Sequence, residues 1–474
     1  MKKIILLSVF LVFSGILCGC AANRITPAPG APEQSVQQYV QQHWQAIAAP
    51  HPVPCETRWR RTKEESEKEF GEYRNIFKKY APYILDEYAA IDQALNWRSG
   101  TALRLSFFGR DEKAALKQKK QGSGHECTSW AVLPDKAADN QLLLHKNRDT
   151  GIKKSVIVHR MHPGKYAYIG LCDIGLLDIT MGMNSVGLAI TMNSGDRSDV
   201  RSNPSGLDTT QIGRILLENC STAGEAVALL ERMIKDRAYN HGTDGSIWMI
   251  ADKDCVYTVE HDALRFAYQQ TVSGCAVRAN TWILPEMLPY SRKSAKGSAN
   301  SRWRERAVLN TLFDYGKQHS RPVTPEIMAQ AARITLIPEA KEQLPPCARH
   351  TVSGATFSID REFPADLSIV YAAAGHPDHT FFIPVPVTVD ELPAELLDQT
   401  HSQKVYQRQA AKKKALPDRK RTEIEARLNA RCRAAREKAR QLLKRDFSTE
   451  NRLKARKIMN RAFKENWQTI QENL

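Results

Sequence analysis

The chain has 474 residues, of which 42% are hydrophobic and 25% charged, and its formal net charge is +16. This length is ample for a large buried core, and ten cysteines in such a chain exclude a small disulfide scaffold. The charge is uneven, because 22 basic and 8 acidic side chains lie within residues 401–474. We therefore expect a near-neutral globular body with a basic C-terminal appendage.

No pair of cysteines has the spacing of a zinc site, so no metal site is predicted. The only close pair, Cys18 and Cys20, lies near the N-terminus. If the protein is exported, the remaining cysteines can form disulfides, and the sequence does not decide which of them pair. These candidates are Cys55, Cys172, Cys220, Cys255, Cys275, Cys347 and Cys432.

Residues 1–20 have the features of an export signal. Lys2 and Lys3 precede an apolar stretch, Ile4 to Ile16, that is too short to remain as a membrane-spanning helix. The end of the stretch, Leu17-Cys18-Gly19-Cys20, resembles the lipobox of bacterial lipoproteins, which implies that Cys20 is lipidated and anchors the protein to the membrane. A plain secretory signal or a signal anchor is the alternative. In each case the protein leaves the cytoplasm, and we expect it in the cell envelope.

The next hundred residues are predicted to be mostly helical. Residues 21–34 contain three prolines among small residues and predict a tether, and a short polar helix is expected over 35–49. Apolar residues at three- and four-residue steps predict a helix over 64–95. We predict a strand from Thr101 to Phe108 and an exposed, charged loop from Arg110 to Gly124.

One cysteine directly follows that loop, in the stretch Glu126-Cys127-Thr128-Ser129. A strand is predicted after it, and a second apolar run ends on Asn147-Arg148-Asp149. Two strands joined by a loop pair as a hairpin, which returns Asp149 and Asn147 to the neighbourhood of Cys127. A thiol with a carboxylate and an amide beside it is a candidate nucleophile. The alternative is a buried structural cysteine, the commoner role of a lone cysteine.

This pattern resembles the N-terminal-nucleophile (Ntn) hydrolases of the isopenicillin N acyltransferase and choloylglycine hydrolase family, which act on linear amide C–N bonds. The resemblance extends from about Tyr80 to about Pro386. It implies an α+β fold, a four-layer αββα sandwich with two antiparallel sheets between helices. It also implies that the Glu126–Cys127 bond is cut by Cys127 itself. The products are a light chain with a helical pro-segment over 35–126 and a catalytic core over 127–399.

The resemblance also assigns a role to Asn193. Asn184 to Gly187 predict a hairpin turn, and Leu188 to Met192 predict a buried strand that ends on this asparagine. In the family the asparagine at this place donates to the oxyanion. A side-chain amide suits that role, and loss of one such donor costs about 10²–10³ in rate. The alternative is that Asn193 only begins a turn at the end of the strand.

A further family segment usually reads Asn-His-Phe, and here it reads Asn280-Thr281-Trp282. Asn280 is therefore a candidate substrate contact, whereas the change at the next two positions leaves the family's other contacts here open. Arg148 is a second candidate substrate contact.

A basic loop, Pro289 to Asn300, is predicted to lead into a helix that starts at Ser301. In the family a serine and an arginine near this place assist cleavage and bind the substrate carboxylate. Ser301 and either Arg302 or Arg304 match them, since a guanidinium grips a carboxylate with two parallel hydrogen bonds. The alternative is an exposed basic helix start.

The remaining elements are assigned structural roles. Helices are predicted over 209–217 and 223–234, the second with a capping box from Thr222 to Glu225. Strands are predicted over 154–161, 165–171, 246–251, 255–260, 352–359 and 367–373.

The tail, residues 400–474, changes in composition. Residues 422–474 contain no glycine or proline and predict one or two long charged helices. Apolar positions are sparse and no heptad persists, so a coiled coil is weakly supported. The charges either form a solvated face or contact an anionic surface, such as lipid headgroups or envelope polymers. Nucleic acid is not an expected partner of an exported protein.

Two functions follow. The first is a self-processing cysteine amidohydrolase or acyltransferase that cleaves a small-molecule linear amide through a Cys127 thioester, without metal or organic cofactor. Its freed α-amine is the base, Asp149 holds that amine, and Asn147 and Asn193 organise the site. The alternative is a catalytically inactive, envelope-tethered binding lipoprotein of the same fold. The sequence does not distinguish water from an amine as the acyl acceptor.

Overall fold

The computed structural model describes residues 63–107, 126–150, 155–173, 176–313, 321–398, 400–410 and 418–473. The predicted export signal, tether, polar helix and pre-cysteine loop lie outside these ranges. Within them, the helices are all too short or too polar to cross a membrane. The same ranges contain no group of three or more His, Cys, Asp or Glu side chains able to hold a metal ion.

Thirteen strands and eleven numbered α-helices are described in these ranges, in addition to a helical stretch at 101–107. The strands are β1 (Thr128–Val132), β2 (Gln141–Asp149), β3 (Ser155–Arg160), β4 (Tyr168–Asp173), β5 (Met181–Asn184), β6 (Ala189–Arg197), β7 (Asp244–Ala251), β8 (Val256–His261), β9 (Phe266–Thr271), β10 (Cys275–Arg278), β11 (Thr351–Asp360), β12 (Ile369–Ala374) and β13 (Ile383–Pro386). The helices are α1 (Lys63–Tyr80), α2 (Pro82–Ala94), α3 (Thr209–Asn219), α4 (Ala223–Lys235), α5 (Ala295–Phe313), α6 (Pro325–Ala331), α7 (Pro364–Leu367), α8 (Ala394–Leu397), α9 (Thr400–Ala410), α10 (Asp418–Arg445) and α11 (Thr449–Gln471).

Two antiparallel sheets face each other. One has the strand order β10-β1-β2-β11-β12-β13, and the other has the order β3-β4-β5-β6-β7-β8-β9. Alternate side chains of each sheet point into the space between them and form one apolar core, which includes Leu144, Met183 and Phe357. Helices α3 and α4 cover the seven-stranded sheet, and α5, α6, α10 and α11 cover the other. The predicted α+β sandwich of four layers is confirmed.

The N-terminal helices pack on the outer side of α3. The single helix predicted over 64–95 is divided into α1 and α2, because Pro82 lacks an N–H and occupies the first turn of a new helix. Tyr73 and Phe77 are buried in the core beside α3 and α4. A buried ion-pair network fixes α2 to α3: Arg214 binds Glu87 at 2.6 Å and Glu218 at 2.9 Å.

The strand predicted from Thr101 to Phe108 is wrong, because residues 101–107 are helical. Asp92 accepts hydrogen bonds from the backbone N–H groups of Gly100 (2.6 Å) and Ala102 (2.8 Å), which satisfies donors that a helix start leaves free. Leu103 and Phe107, four residues apart, are both buried. In a helix, residues four positions apart lie on one face, so both side chains can be buried together. The same apolar residues are also compatible with a strand, which is why the sequence did not distinguish the two.

Helix α5 begins at Ala295, six residues before the predicted start at Ser301. The Ser294 hydroxyl accepts from the N–H of Gly297 at 3.2 Å and stabilises the first turn. The predicted loop from Pro289 to Asn300 is therefore shorter than expected. The other predicted helices and strands are present with boundary differences of a few residues, and the capping box of Thr222 and Glu225 is formed.

The predicted C-terminal charged helices are present as α10 and α11, and they pack as an outer layer on the six-stranded sheet. Ile424, Leu428, Phe463 and Ile470 are buried in the same core as β12 and β13. Alanines fill the inner face between the few large apolar side chains, so that counting large apolar residues underestimates the packed surface. The seven described cysteines, Cys127, Cys172, Cys220, Cys255, Cys275, Cys347 and Cys432, are all free thiols.

Candidate active site

Cys127 directly precedes β1 and is only 5% exposed. Strand β1 lies between β2 and β10, with Thr128 opposite Asn147 and Ser129 opposite Arg278. If the same register is extended from β1 to Cys127, this residue lies opposite Arg148 on one side and Asn280 on the other. The thiol lies 3.8 Å from the backbone carbonyl oxygen of Asp149. The predicted hairpin therefore forms and brings Asp149 back to Cys127.

Arg304 of α5 grips the peptide bond on the N-terminal side of Cys127. Its Nη1 donates to the carbonyl oxygen of Glu126, to the carbonyl oxygen of Cys127 at 2.7 Å and to the Thr128 hydroxyl at 2.9 Å. Its Nη2 donates to Oδ1 of Asn280 at 3.0 Å. Arg304 is 1% exposed, and burial lowers its pKa, although an arginine stays protonated in proteins. A fixed positive charge therefore lies on the carbonyl of the Glu126–Cys127 bond.

Asp149 is fully buried beside this bond, with one carboxylate oxygen engaged and one free. Oδ1 accepts from the Thr351 hydroxyl at 2.6 Å. Oδ2 has no hydrogen-bond partner among the described residues, and Nε2 of His350 lies 3.8 Å away. Burial raises the pKa of Asp149 to about 7, which the hydrogen bond from Thr351 and the charge of Arg304 oppose. The carboxyl group can thus change its charge near neutral pH.

Asn147 faces away from Cys127. Its side chain shares the face of Thr128, because residues opposite each other in an antiparallel pair point the same way. Its Nδ2 donates to the carbonyl oxygens of Ala332 (2.8 Å) and Pro346 (2.9 Å), and its Oδ1 contacts the His145 ring at 3.0 Å. The structure therefore does not bring the Asn147 amide to the thiol, and this side chain holds two outer loops.

Asn193 lies within β6, which continues to Arg197, so the alternative of a turn at this point is wrong. Its Oδ1 accepts from the Ser129 hydroxyl at 3.0 Å, and its Nδ2 donates to the carbonyl oxygens of Ala279 (3.0 Å) and Arg278 (3.3 Å). Asn193 thus links the seven-stranded sheet to β1 and β10, one pleat from Cys127. Its amide protons are bound to backbone carbonyls in the uncut chain.

The four predicted substrate contacts differ in position. Asn280 lies at the site and accepts from Arg304, as described above. Arg148 points towards Cys127 but is bound by Asp173 at 2.5 and 3.0 Å. Ser301 is fully buried on α5, and its hydroxyl has no partner in the described part of the chain. Arg302 is exposed, so its assignment to the site is corrected, and Arg304 occupies the place. Arg302 and Arg304 are two positions apart, which is about 200° around a helix, so their side chains lie on opposite faces.

Sequence reasoning missed Lys146, Thr351 and His350. Lys146 is buried on the Cys127 face of β2, and its Nζ donates to the carbonyl oxygens of Met192 and, at 3.4 Å, Thr180. Burial lowers the pKa of Lys146 to about 8, and the proximity of Cys127 opposes that shift. Alternate residues of a strand share a face, so the position of Lys146, two residues before Arg148, could have placed it on the Cys127 face. No local signal pointed to Thr351 or His350.

The facing antiparallel sheets, with helices outside them, form a four-layer α+β sandwich that places a buried cysteine at the start of a strand. Residues 136–282, about a third of the chain, match the family model of acyl-coenzyme A:6-aminopenicillanic acid acyl-transferase. The matched segment contains Asn147, Asp149, Asn193 and Asn280, and it begins after Cys127. The resemblance predicted from the motifs is thereby confirmed over this segment.

Solved structures show a weaker likeness. An N-acylethanolamine-hydrolyzing acid amidase ortholog from Caenorhabditis elegans is 14% identical with a TM-score of 0.33, and the match covers 51% of this chain and 96% of that one. Two variants of conjugated bile acid hydrolase from Clostridium perfringens are 14% and 15% identical with TM-scores of 0.33, over 52% of this chain and 89% of theirs. No curated protein matches the sequence.

Proposed function

We propose that the protein is a self-processing cysteine amidohydrolase or acyltransferase with Cys127 as its nucleophile. One observation carries the proposal: the buried guanidinium of Arg304 donates to the carbonyl oxygen of Glu126, in the bond that precedes the buried thiol. A carbonyl bound in this way is polarised, and the oxyanion formed on attack is stabilised where it develops. A purely structural cysteine has no need of a cation on the preceding carbonyl.

The first reaction is on the chain itself. The Cys127 sulfur attacks the carbonyl carbon of Glu126, and the negative charge on the oxygen is stabilised by Arg304. The C–N bond then breaks, a C–S bond forms, and the proton of the thiol ends on the departing nitrogen. Water hydrolyses the thioester, which leaves a carboxylate at Glu126 and a free thiol and α-amine at Cys127.

Turnover uses the new α-amine as the base. An α-amine titrates near pH ~8, so a useful fraction is neutral at physiological pH. Asp149, whose Oδ2 has no hydrogen-bond partner among the described residues, is the proposed holder of the protonated form. The thiolate attacks the carbonyl of a small-molecule linear amide, the leaving amine takes the proton from the α-ammonium, and the acyl group stays on sulfur. Water or an acceptor amine then removes it, and no cofactor enters these steps.

Other parts of the proposal concern the oxyanion and the location. Asn193 becomes an oxyanion donor if cleavage frees its amide from the carbonyls of Arg278 and Ala279. Asn280 and Ser301 are proposed substrate contacts. The protein is proposed to be anchored in the cell envelope through a lipidated Cys20.

The test is the intact mass of purified protein beside Cys127→Ala, with Cys347→Ala as a matched control at another buried thiol. We expect two fragments that meet at the 126/127 bond in the wild type and in the control, and one uncut chain in Cys127→Ala. A Cys127→Ala chain that is still cut at this bond contradicts the mechanism. A wild-type chain that stays whole favours the inactive binding lipoprotein.

A further inference from the structure

The C-terminal helices carry two distinct sets of cations. The inward set is neutralised by carboxylates of the body: Arg440 binds Asp360, Arg452 binds Asp366 at 3.0 Å, and Arg456 binds Asp390 at 2.7 Å. These arginines fix α10 and α11 to the sheet, and their charges are used in the fold.

The outward set is not neutralised. Seven exposed cations on the two helices form no ion pair within the ranges that the structure describes. They are Lys420, Arg427, Lys438 and Arg445 on α10 and Lys457, Arg461 and Lys464 on α11, and we call them the basic face.

The four cations of α10 form one straight line. At 100° per residue they lie within about 20° of each other around the helix axis, and at 1.5 Å per residue they extend over about 38 Å. The three of α11 lie within about 60° of each other by the same measure. Exposed acidic side chains on these helices do not cancel them, because Glu423, Glu437, Glu450 and Glu465 already pair with other cations.

Two exposed apolar side chains lie on or beside these helices. Phe447, in the turn between α10 and α11, is 55% exposed, and Leu453 on α11 is 37% exposed. Lysines and arginines together with an exposed aromatic and an aliphatic side chain are typical of a surface that contacts a lipid headgroup region.

We propose that the basic face is a docking surface for an anionic lipid membrane. A line of charge about 38 Å long fits an extended flat surface better than a small ligand. The expected lipid anchor at Cys20 is 43 positions before Lys63, where α1 begins. A chain of this length reaches up to about 150 Å, so the anchor does not select the face that meets the membrane. The charge of the basic face selects the side that meets the membrane, and it holds the body in one orientation.

The test uses the chain from residue 21 onward, which has no lipid anchor but contains every described residue. Binding is measured by sedimentation with vesicles of phosphatidylcholine alone and with vesicles in which about a third of the lipid is phosphatidylglycerol, at about 0.15 M salt. The quadruple variant Lys420→Gln, Arg427→Gln, Lys438→Gln and Arg445→Gln is compared with wild type.

A matched control removes the same net charge from other exposed positions: Arg201→Gln, Arg232→Gln, Arg306→Gln and Lys341→Gln. Thermal melting confirms that both variants fold. We expect the wild type and the control to bind the anionic vesicles only, and the basic-face variant to bind at least about tenfold more weakly.

Three outcomes overturn the proposal. If the wild-type protein does not bind the anionic vesicles, an anionic membrane is not its partner. Equal losses in the two quadruple variants assign the effect to net charge. Binding to heparin without binding to the vesicles assigns the face to a polymer.

Discussion

Replacement of Arg304 separates the proposed chemistry from the structural role of this side chain. In Arg304→Lys a positive charge remains, but one ammonium cannot reproduce the contacts of a planar guanidinium to the carbonyl of Glu126, to Cys127, to Thr128 and to Asn280. We expect self-cleavage to slow by about 10²–10³, the loss that follows removal of one oxyanion donor.

The same change has a cost in stability. The carbonyl of Cys127 and the amide oxygen of Asn280 are buried and lose a charged donor, at about 1–3 kcal/mol for each acceptor that stays unpaired. A domain of typical stability, about 5–15 kcal/mol, tolerates this, but its melting temperature falls. Folding is therefore measured by thermal melting before any rate is compared.

The assay follows the appearance of the two fragments by mass spectrometry after refolding of denatured, uncut chains. Arg302→Gln is the matched control, because this arginine is exposed on the other face of the same helix, and we expect it to be cut at the wild-type rate. An Arg304→Lys protein that folds and is cut as fast as the control refutes the argument that Arg304 stabilises the oxyanion.

Three other changes test separate parts of the structure. The pKa of Asp149 in the folded, uncut chain is raised to about 7, so its protonated form stabilises the fold at acidic pH and this stability is lost as pH rises from about 4 through 7. The melting temperature of Cys127→Ala should fall over this window, and an added Asp149→Asn should flatten the profile; equal profiles would show that Asp149 does not titrate there. Arg214→Met should destabilise the protein by about 3–5 kcal/mol in denaturant unfolding, because Glu87 and Glu218 stay buried without their cation, and an unchanged midpoint would contradict this. Deletion of residues 418–474 should give insoluble or unfolded protein in a solubility assay, since it uncovers the core of the six-stranded sheet, whereas a soluble, cooperatively melting product would restore the view of the tail as an appendage.

Much of the fold was accessible from local sequence signals. Alternation, turn glycines and a capping box predicted the strands and helices between Thr128 and Ala374, because each of those signals acts over a few residues. The strand predicted at 101–108 was wrong because the helix found there depends on a non-local contact: its start is stabilised by Asp92, which belongs to another helix. Helices α10 and α11 were predicted, but their packing on the sheet was not, because small side chains and paired arginines form that contact.

The candidate site divides in the same way. Cys127 and Asp149 were found because a short hairpin joins them, and hairpins are readable from sequence. The choice of Arg304 over Arg302 needed the rotation of α5 relative to β1, which no local pattern contains. Thr351 and His350 come to Asp149 from β11 and the residue before it, and only the strand order places them there.

The register of β2 and β11 also sets an order of events in the life of the chain. Asn147 pairs with Gly354, more than 200 positions later, so the sheet around Cys127 stays incomplete until most of the chain has emerged. Arg304 and Thr351, which complete the surroundings of the bond, also follow Cys127 by more than 170 positions. Closing so long a loop is slow, and a nascent or truncated chain has the Cys127 thiol without Arg304 and Thr351 beside it. The proposed cut therefore needs a folded chain, in which α3 already holds α1 and α2, so that the N-terminal fragment stays bound after cleavage.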